Sequence, residues 1–237
     1  MTTILQMLHE SFPYLMKTLQ VLYDSFPYLL GGAGVTAAAV TGAMLLGLLI
    51  GVNLAVIQVY CGAWPRRLVG LYVWFFRGVP ILVLLFLFYF GLFSVLGINL
   101  STFAAVILVL GMTSGAYQSQ IYRGAIQSLP QGQLKAARAL GMSDRRAILS
   151  IILPQALRLS IPGFSNEYSI LLKDSALAYA LGTPEIMART HFVASRTYEH
   201  LPLYLMAALL YFALTWIGVK LLRKLEEKVR IPGYSLN

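Results

Sequence analysis

One carboxylate stands inside an apolar run, in Ile161-Pro162-Gly163-Phe164-Ser165-Asn166-Glu167-Tyr168. Ionisable groups at membrane depth are expensive and usually functional. With Pro154 at the cytoplasmic edge, Glu167 lies thirteen residues on, about 20 Å into a hydrocarbon core of about 30 Å. A small polar ligand could fit beside such a carboxylate, or Glu167 could pair with a neighbouring helix. Lys173 is not the obvious partner, because six residues fall outside the i+3 and i+4 contacts. Pro162 releases a backbone carbonyl, and Gly163, one turn before Glu167, leaves space beside the carboxylate. Tyr117, near the end of another apolar stretch, is a further candidate for the pathway, or an interface anchor.

Other chemistries find no residues to serve them. His9, His191 and His200 lack metal-ligand spacing, and Cys61 is the sole cysteine, so neither a metal site nor a disulfide is expected. No glycine-rich phosphate loop ending in Lys-Ser or Lys-Thr occurs. Any ATP and its magnesium must be bound by a partner, and the chain is not expected to be an enzyme.

The elements that must position Glu167 are membrane helices. Hydrophobic residues make up 58% of the chain and charged ones 11%, more apolar surface than a soluble domain of this size can hide. Five apolar stretches approach the roughly 20 residues needed to cross: 33–59, 79–97, 103–119, 153–172 and 204–222. Segments 61–78, 118–158 and 220–237 hold 14 Lys and Arg against 3 acids, and the remainder holds 4 against 6. Cation-rich short loops stay cytoplasmic, which places the amino terminus outside and the carboxyl terminus inside. Topology accounts for the basic balance without nucleic acid.

Before the first span, ESFPYL at Glu10–Leu15 recurs as DSFPYL at Asp24–Leu29. Leu5, Leu8, Phe12, Leu15 and Leu19 share helical spacing, and the interspersed Tyr and Phe suit an interface. Residues 1–30 are expected to form an amphipathic helix on the outer leaflet, ahead of a transmembrane domain over 31–237. A short extra span is disfavoured by Glu10, Pro13, Lys17 and Asp24. The outer loop 174–202 carries Glu185, Arg189, His191, Arg196 and Glu199 as a mixed polar surface.

Between Lys135 and Pro154 the sequence KAARALGMSDRRAILSIILP describes a cationic helix, a glycine turn and a second helix, within a loop spanning about 128–150. Gly141 suits a left-handed helix close, Ser143 an N-cap and Asp144 the positive end of the dipole, with Arg145 and Arg146 following. Ala136 and Ala137 would let a partner backbone approach.

This pattern resembles the signature of permease subunits of ATP-binding-cassette importers, in which an acidic residue, two alanines, a glycine and Ile-x-Leu-Pro keep fixed spacing. Ala136, Ala137, Gly141, Ile151, Leu153 and Pro154 match, while Lys135 replaces the usual glutamate. Arg77-Gly78-Val79-Pro80, Ala116–Gly124 and Asn166–Leu177 are similar to segments of the polar amino-acid branch, with Gln120 in place of a glutamate. The resemblance implies an all-α integral membrane protein of the type I importer permease fold, with five transmembrane helices, an interfacial amino-terminal helix and a cytoplasmic coupling helix. It implies substrate contact by Asn166 and Glu167, joined by Tyr117, and coupling through Lys135, Ala136, Ala137, Gly141, Asp144 and Arg145. The implied partners are a dimer of ATP-binding subunits, a second permease copy or sister, an extracytoplasmic solute-binding protein, the lipid bilayer and a polar, basic amino acid. The setting is the inner membrane. Two other readings stay open: a proton-coupled carrier in which Glu167 titrates, and a structural or signalling membrane protein.

Overall fold

A helix of 59 residues, α1 (Thr2–Tyr60), is the spine of the molecule. The computed structural model describes residues 2–229, with side chains from Pro13 onward, and among these no strand occurs. α1 runs through Pro13 and Pro27 without a break. The amino-terminal segment is therefore helical, but it is continuous with the first span instead of turning to lie flat ahead of it. Leu5, Leu8, His9, Glu10 and Phe12 lie outside the residues whose side chains are described. At about 1.5 Å per residue α1 is roughly 90 Å long, about three times the hydrocarbon thickness, so much of it stands clear of the bilayer.

The second membrane element differs from the expected 79–97. Residues 63–78, assigned above to a cytoplasmic loop, form helix α2 (Ala63–Gly78), and α3 (Ile81–Phe86) runs into a π-helical stretch, Leu87–Phe93. The two halves meet at 108°. Pro80 is the cause: its ring drives Val79 into an extended conformation (φ −97°, ψ 132°), which ends the helix before it. Arg66 and Arg67 lower the mean hydropathy of α2, so its sequence does not read as an apolar run.

α4 (Thr102–Ser128) begins where the Ala104 amide donates to Ser101 Oγ at 3.2 Å, and it extends well past the expected Ser119. The handle follows as α5 (Gly132–Ala139) and α6 (Asp144–Ala147), with a π-helical turn at Ile148–Ile152 leading to α7 (Leu153–Leu159). α8 (Ile161–Asp174) restarts beyond Ser160 with Pro162 in its first turn and ends in a 3-10 turn, Ser175–Leu181. The bend between the halves is 55°. α9 (Ile186–Thr197) and α10 (His200–Val229) complete the chain. Among the described residues three helices are long and apolar enough to cross a membrane, and counting each bent pair as one span gives the expected five.

Two glycine pairs set the central packing. Gly47 and Gly51 on α1 face Gly111 and Gly115 on α4, so both helices carry a GxxxG. A Cβ at Gly111 would come within 2.6 Å of Leu46, one at Gly115 within 2.8 Å of Ile50, and one at Gly47 within 2.6 Å of Gln118 Nε2. Around this seam an apolar cluster that includes Val40, Leu84, Val109 and Leu172 fills one end of the bundle. A second, with Ala55, Tyr122, Ile126, Ile148 and Ile152, lies under the handle.

Gly111→Val should overpack this seam and cost about 1–3 kcal/mol. Gly34→Val, at a helical position with nothing within 4 Å, should change little. Thermal unfolding of the two purified variants in the same detergent checks the difference, and equal melting would remove the seam from the account.

Candidate functional site

α8 turns Ile161, Glu167, Leu171 and Leu172 inward. Glu167 is 4% exposed and enters the bundle opposite α4, where Ser114 Oγ donates to its Oε1 at 2.9 Å. Ser114 in turn accepts from Gln118 Nε2 at 2.9 Å, Gln118 Nε2 also reaches the Met44 carbonyl at 3.1 Å, and Tyr122 Oη donates to Gln118 Oε1 at 3.1 Å. Ser114, Gln118 and Tyr122 are spaced i, i+4, i+8, forming one buried polar line down α4. That i, i+4, i+8 spacing is a signal visible in the sequence. Every polar group on the line is bonded, as buried polar groups must be.

The carboxylate itself is half satisfied. Oε2 of Glu167 has no hydrogen-bond partner among the described residues. The only sealed side-chain polar atom left unbonded among those residues is Thr183 Oγ1, so Oε2 retains open surface. The space next to Gly163 is not available to a ligand: Ile121 of α4 fills it, and a Cβ at Gly163 would lie 2.6 Å from Ile121 Cγ2.

The other two binding candidates point elsewhere. Asn166, about 100° around the helix from Glu167, is exposed. It opens on a groove of about 360 Å³ between α8 and α10, beside Ser165, Ser169, Arg223 and Glu226. Tyr117 lies one residue before Gln118, half-buried, with the Arg77 guanidinium 4.8 Å above its ring. Arg77, the last cation of α2, is thus held at the 108° corner against the middle of α4, not simply at a membrane edge. Tyr117 and Ser114 are i, i+3 on α4, which brings Arg77, Tyr117, Ser114 and Glu167 into one cluster spanning α2, α4 and α8.

The handle has the expected local form. Gly141 closes α5 at φ +79°, with Gly141 N–H on the Arg138 carbonyl at 2.9 Å and Met142 N–H on the Ala137 carbonyl at 3.0 Å. These are the paired bonds of a Schellman close. Ser143 Oγ accepts from the Arg146 amide at 3.4 Å. A bidentate pair, Arg138 Nε and Nη2 to Asp144 at 2.7 and 2.9 Å, ties the two helices across the turn. Lys135, Ala136, Gly141, Asp144 and Arg145 are exposed. Ala137 is 2% exposed and packs inward, so only Ala136 of the small pair is available to an approaching backbone.

At the opposite end the segment 174–202 differs from the mixed polar surface expected of it. Glu185 and Glu199 are 1% and 4% exposed and point inward. Glu185 caps α9, accepting from the Ala188 amide at 2.6 Å and from Tyr211 Oη. Burial pushes its carboxyl above the ordinary value, and the bonds from Tyr211, the Met187 and Ala188 amides and Thr36 pull it back. Glu199 accepts from Tyr14 and Thr18 of α1 at 3.2 and 3.1 Å.

Residues 26–231 match the family described as binding-protein-dependent transport system inner membrane component. A probable amino-acid ABC transporter permease protein of Bacillus subtilis (strain 168) is 35% identical over 222 residues, covering 92% of this chain and 90% of the relative. A permease protein of the histidine/lysine/arginine/ornithine transport system of Salmonella typhimurium (strain LT2) is 32% identical over 206 residues, covering 83% and 88%. A chain from the crystal structure of an amino acid ABC transporter with histidines shares the fold at a TM-score of 0.77 and 30% identity, covering 87% of this chain and 96% of that one.

The bond between Ser114 and Glu167 should be measurable as a coupling energy. In a double-mutant cycle of Ser114→Ala and Glu167→Gln, followed by thermal unfolding, the two changes should be non-additive by about 1–3 kcal/mol. Strict additivity would dissolve the contact.

Proposed function

Since the chain belongs to the family of inner membrane components of binding-protein-dependent transport systems, as an amino-acid ABC transporter permease, we propose that its solute is a basic amino acid passing Glu167. The observation that carries this reading is the half-satisfied carboxylate in the bundle. Ser114 engages one oxygen, and an ammonium or guanidinium would complete the other. A neutral side chain would leave a desolvated charge uncompensated, which is costly in this setting. An amino acid also brings a carboxylate, and Arg77 above Tyr117 is a cation in the same cluster. Asn166, on the neighbouring face, would bond the amino-acid backbone as the ligand leaves toward the groove. The printed specificity of the Salmonella relative, histidine, lysine, arginine and ornithine, agrees with a cationic solute.

The energy comes from ATP, bound with magnesium and hydrolysed by a pair of partner subunits that grip the handle at Lys135, Ala136, Gly141, Asp144 and Arg145. Ala137 contributes from beneath, by holding α5 against the membrane helices. A second permease copy or a sister chain faces this one across the pathway, and an extracytoplasmic receptor delivers the solute. The complex sits in the inner membrane with the α1 terminus outside and the α10 terminus inside. Closure of the ATP-binding pair moves the handles and rocks the bundles between inward and outward access.

Uptake by the reconstituted complex tests the reading. Glu167→Gln should lower arginine and lysine uptake about tenfold or more, the worth of one charged hydrogen-bonded contact, and spare glutamine wherever glutamine is carried. An equal loss for neutral and basic solutes would refute the assignment. Gly141→Val forces a branched residue into a left-handed conformation, costing about 1–2 kcal/mol. ATP hydrolysis should persist while uptake fails, and retained coupling would remove the handle from the mechanism.

A further inference from the structure

We propose that the exposed face of α9 is the docking surface for an acidic extracytoplasmic solute receptor, and that the duplicated amino-terminal motif is the strut that holds this face in place. The proposal rests on the reading above, in which the handle is cytoplasmic and a receptor feeds the permease.

α9 lies at the end of α1 remote from the handle. It packs on Gly31 and Gly32, where a Cβ on Gly32 would meet Glu185 and Ile186 backbone at 3.0 Å. Tyr60, beside the loop that carries the handle, is about 42 Å further along α1. The two copies of the motif are fourteen residues apart, which at about 100° per residue returns the second copy to within about 40° of the face of the first. Equivalent tyrosines, Tyr14 and Tyr28, therefore meet the same neighbour. Tyr14 Oη donates to Glu199 at 3.2 Å, just past the last turn of α9. Tyr28 accepts from Arg189 Nη1 at its carbonyl, 2.7 Å away, and its ring lies 4.7 Å from the same guanidinium, in the first turn of α9. The duplication thus yields two attachment points, one at each end of α9.

Tyr14 and Thr18 hold Glu199 inward and Tyr211 holds Glu185, which leaves the outer face without an exposed carboxylate between residues 185 and 204. What remains exposed is one cation, Arg196, set among His191, Phe192, Tyr198, His200 and Leu201. The Arg196 guanidinium stacks 4.0 Å over Phe192. Arginine and aromatic side chains are the types that carry protein interfaces, and a face bearing only positive charge selects a negative partner. Tyr198 supplies an independent sign. It ends α9 at φ +61°, the only non-glycine residue in the left-handed region among those described, and is 82% exposed. Packing does not explain an aromatic residue in a conformation that glycine or asparagine adopts more cheaply, and such outliers collect at functional sites.

The test uses the whole transport complex in phosphatidylcholine nanodiscs, with the receptor defined as the extracytoplasmic protein that restores arginine uptake to vesicles of that complex. Receptor affinity and receptor-stimulated ATP hydrolysis are measured. Arg196→Glu with Tyr198→Ala should weaken receptor affinity about tenfold or more and remove most of its salt dependence, with receptor-independent ATP turnover and melting unchanged. Tyr14→Phe with Thr18→Val, which releases Glu199 while leaving the docking face itself intact, should weaken affinity severalfold. Wild-type affinity in the Arg196 and Tyr198 variant overturns the docking surface while leaving the transport reading intact. A defect that emerges only when anionic lipid is added assigns the face to the membrane and also overturns it. Absence of receptor-dependent uptake in the unmodified complex would overturn the transport reading itself.

Discussion

The close approach of α1 to α4 governs the interior. Between helices in lipid there is no hydrophobic drive to associate, so surface fit and interhelical hydrogen bonds must hold them. Four glycines remove the side chains that would separate the two backbones. Gln118 reaches the Met44 carbonyl across the gap that Gly47 leaves open, and Ser114 is then turned toward Glu167. Tyr72 adds a second tie by donating to the Met112 carbonyl of α4 at 2.7 Å, which also sets α2 and, through it, Arg77. The ionisable group at membrane depth is thus supported by a packing decision made one helix away.

Tyr122 belongs to two systems at once. Its ring sits in the apolar cluster that also contains Ile148 and Ile152 beneath the handle, and its hydroxyl ends the polar line on Gln118. The handle is stiffened by the Schellman close and by the Arg138 and Asp144 pair. That pair is more than half exposed, 54% and 56%, so salt screens it and it orients more than it stabilises. A continuous path of packed groups therefore joins the handle to the carboxylate.

The handle was legible in the sequence because its rules are local: a glycine that must turn left, a serine that must cap, and an acid at a helix start. The spans were legible as lengths, but not their breaks, because the arginines of α2 depress its hydropathy and Pro80 puts a corner where a continuous run was read. Glu167 announced itself by its surroundings, whereas its partner Ser114 did not, since hydroxyls are common in such helices. Asn166 and Glu167 look like a pair when written side by side, yet a helix sends consecutive residues to different faces. Glu185 and Glu199 looked like surface groups for the opposite reason: only the tertiary approach of α1 and α10 buries them.

The unbroken run of α1 carries a mechanical consequence. A stiff pole held in a thin sheet pivots as one piece, so a tilt applied near the tip beside the handle swings the distal portion the other way by an amount that grows with the overhang. α9, pinned to that overhang at Tyr14 and Tyr28, travels with it. News of events on one side of the bilayer can then be delivered to the other as plain displacement, with no group changing charge and no segment folding or unfolding along the way.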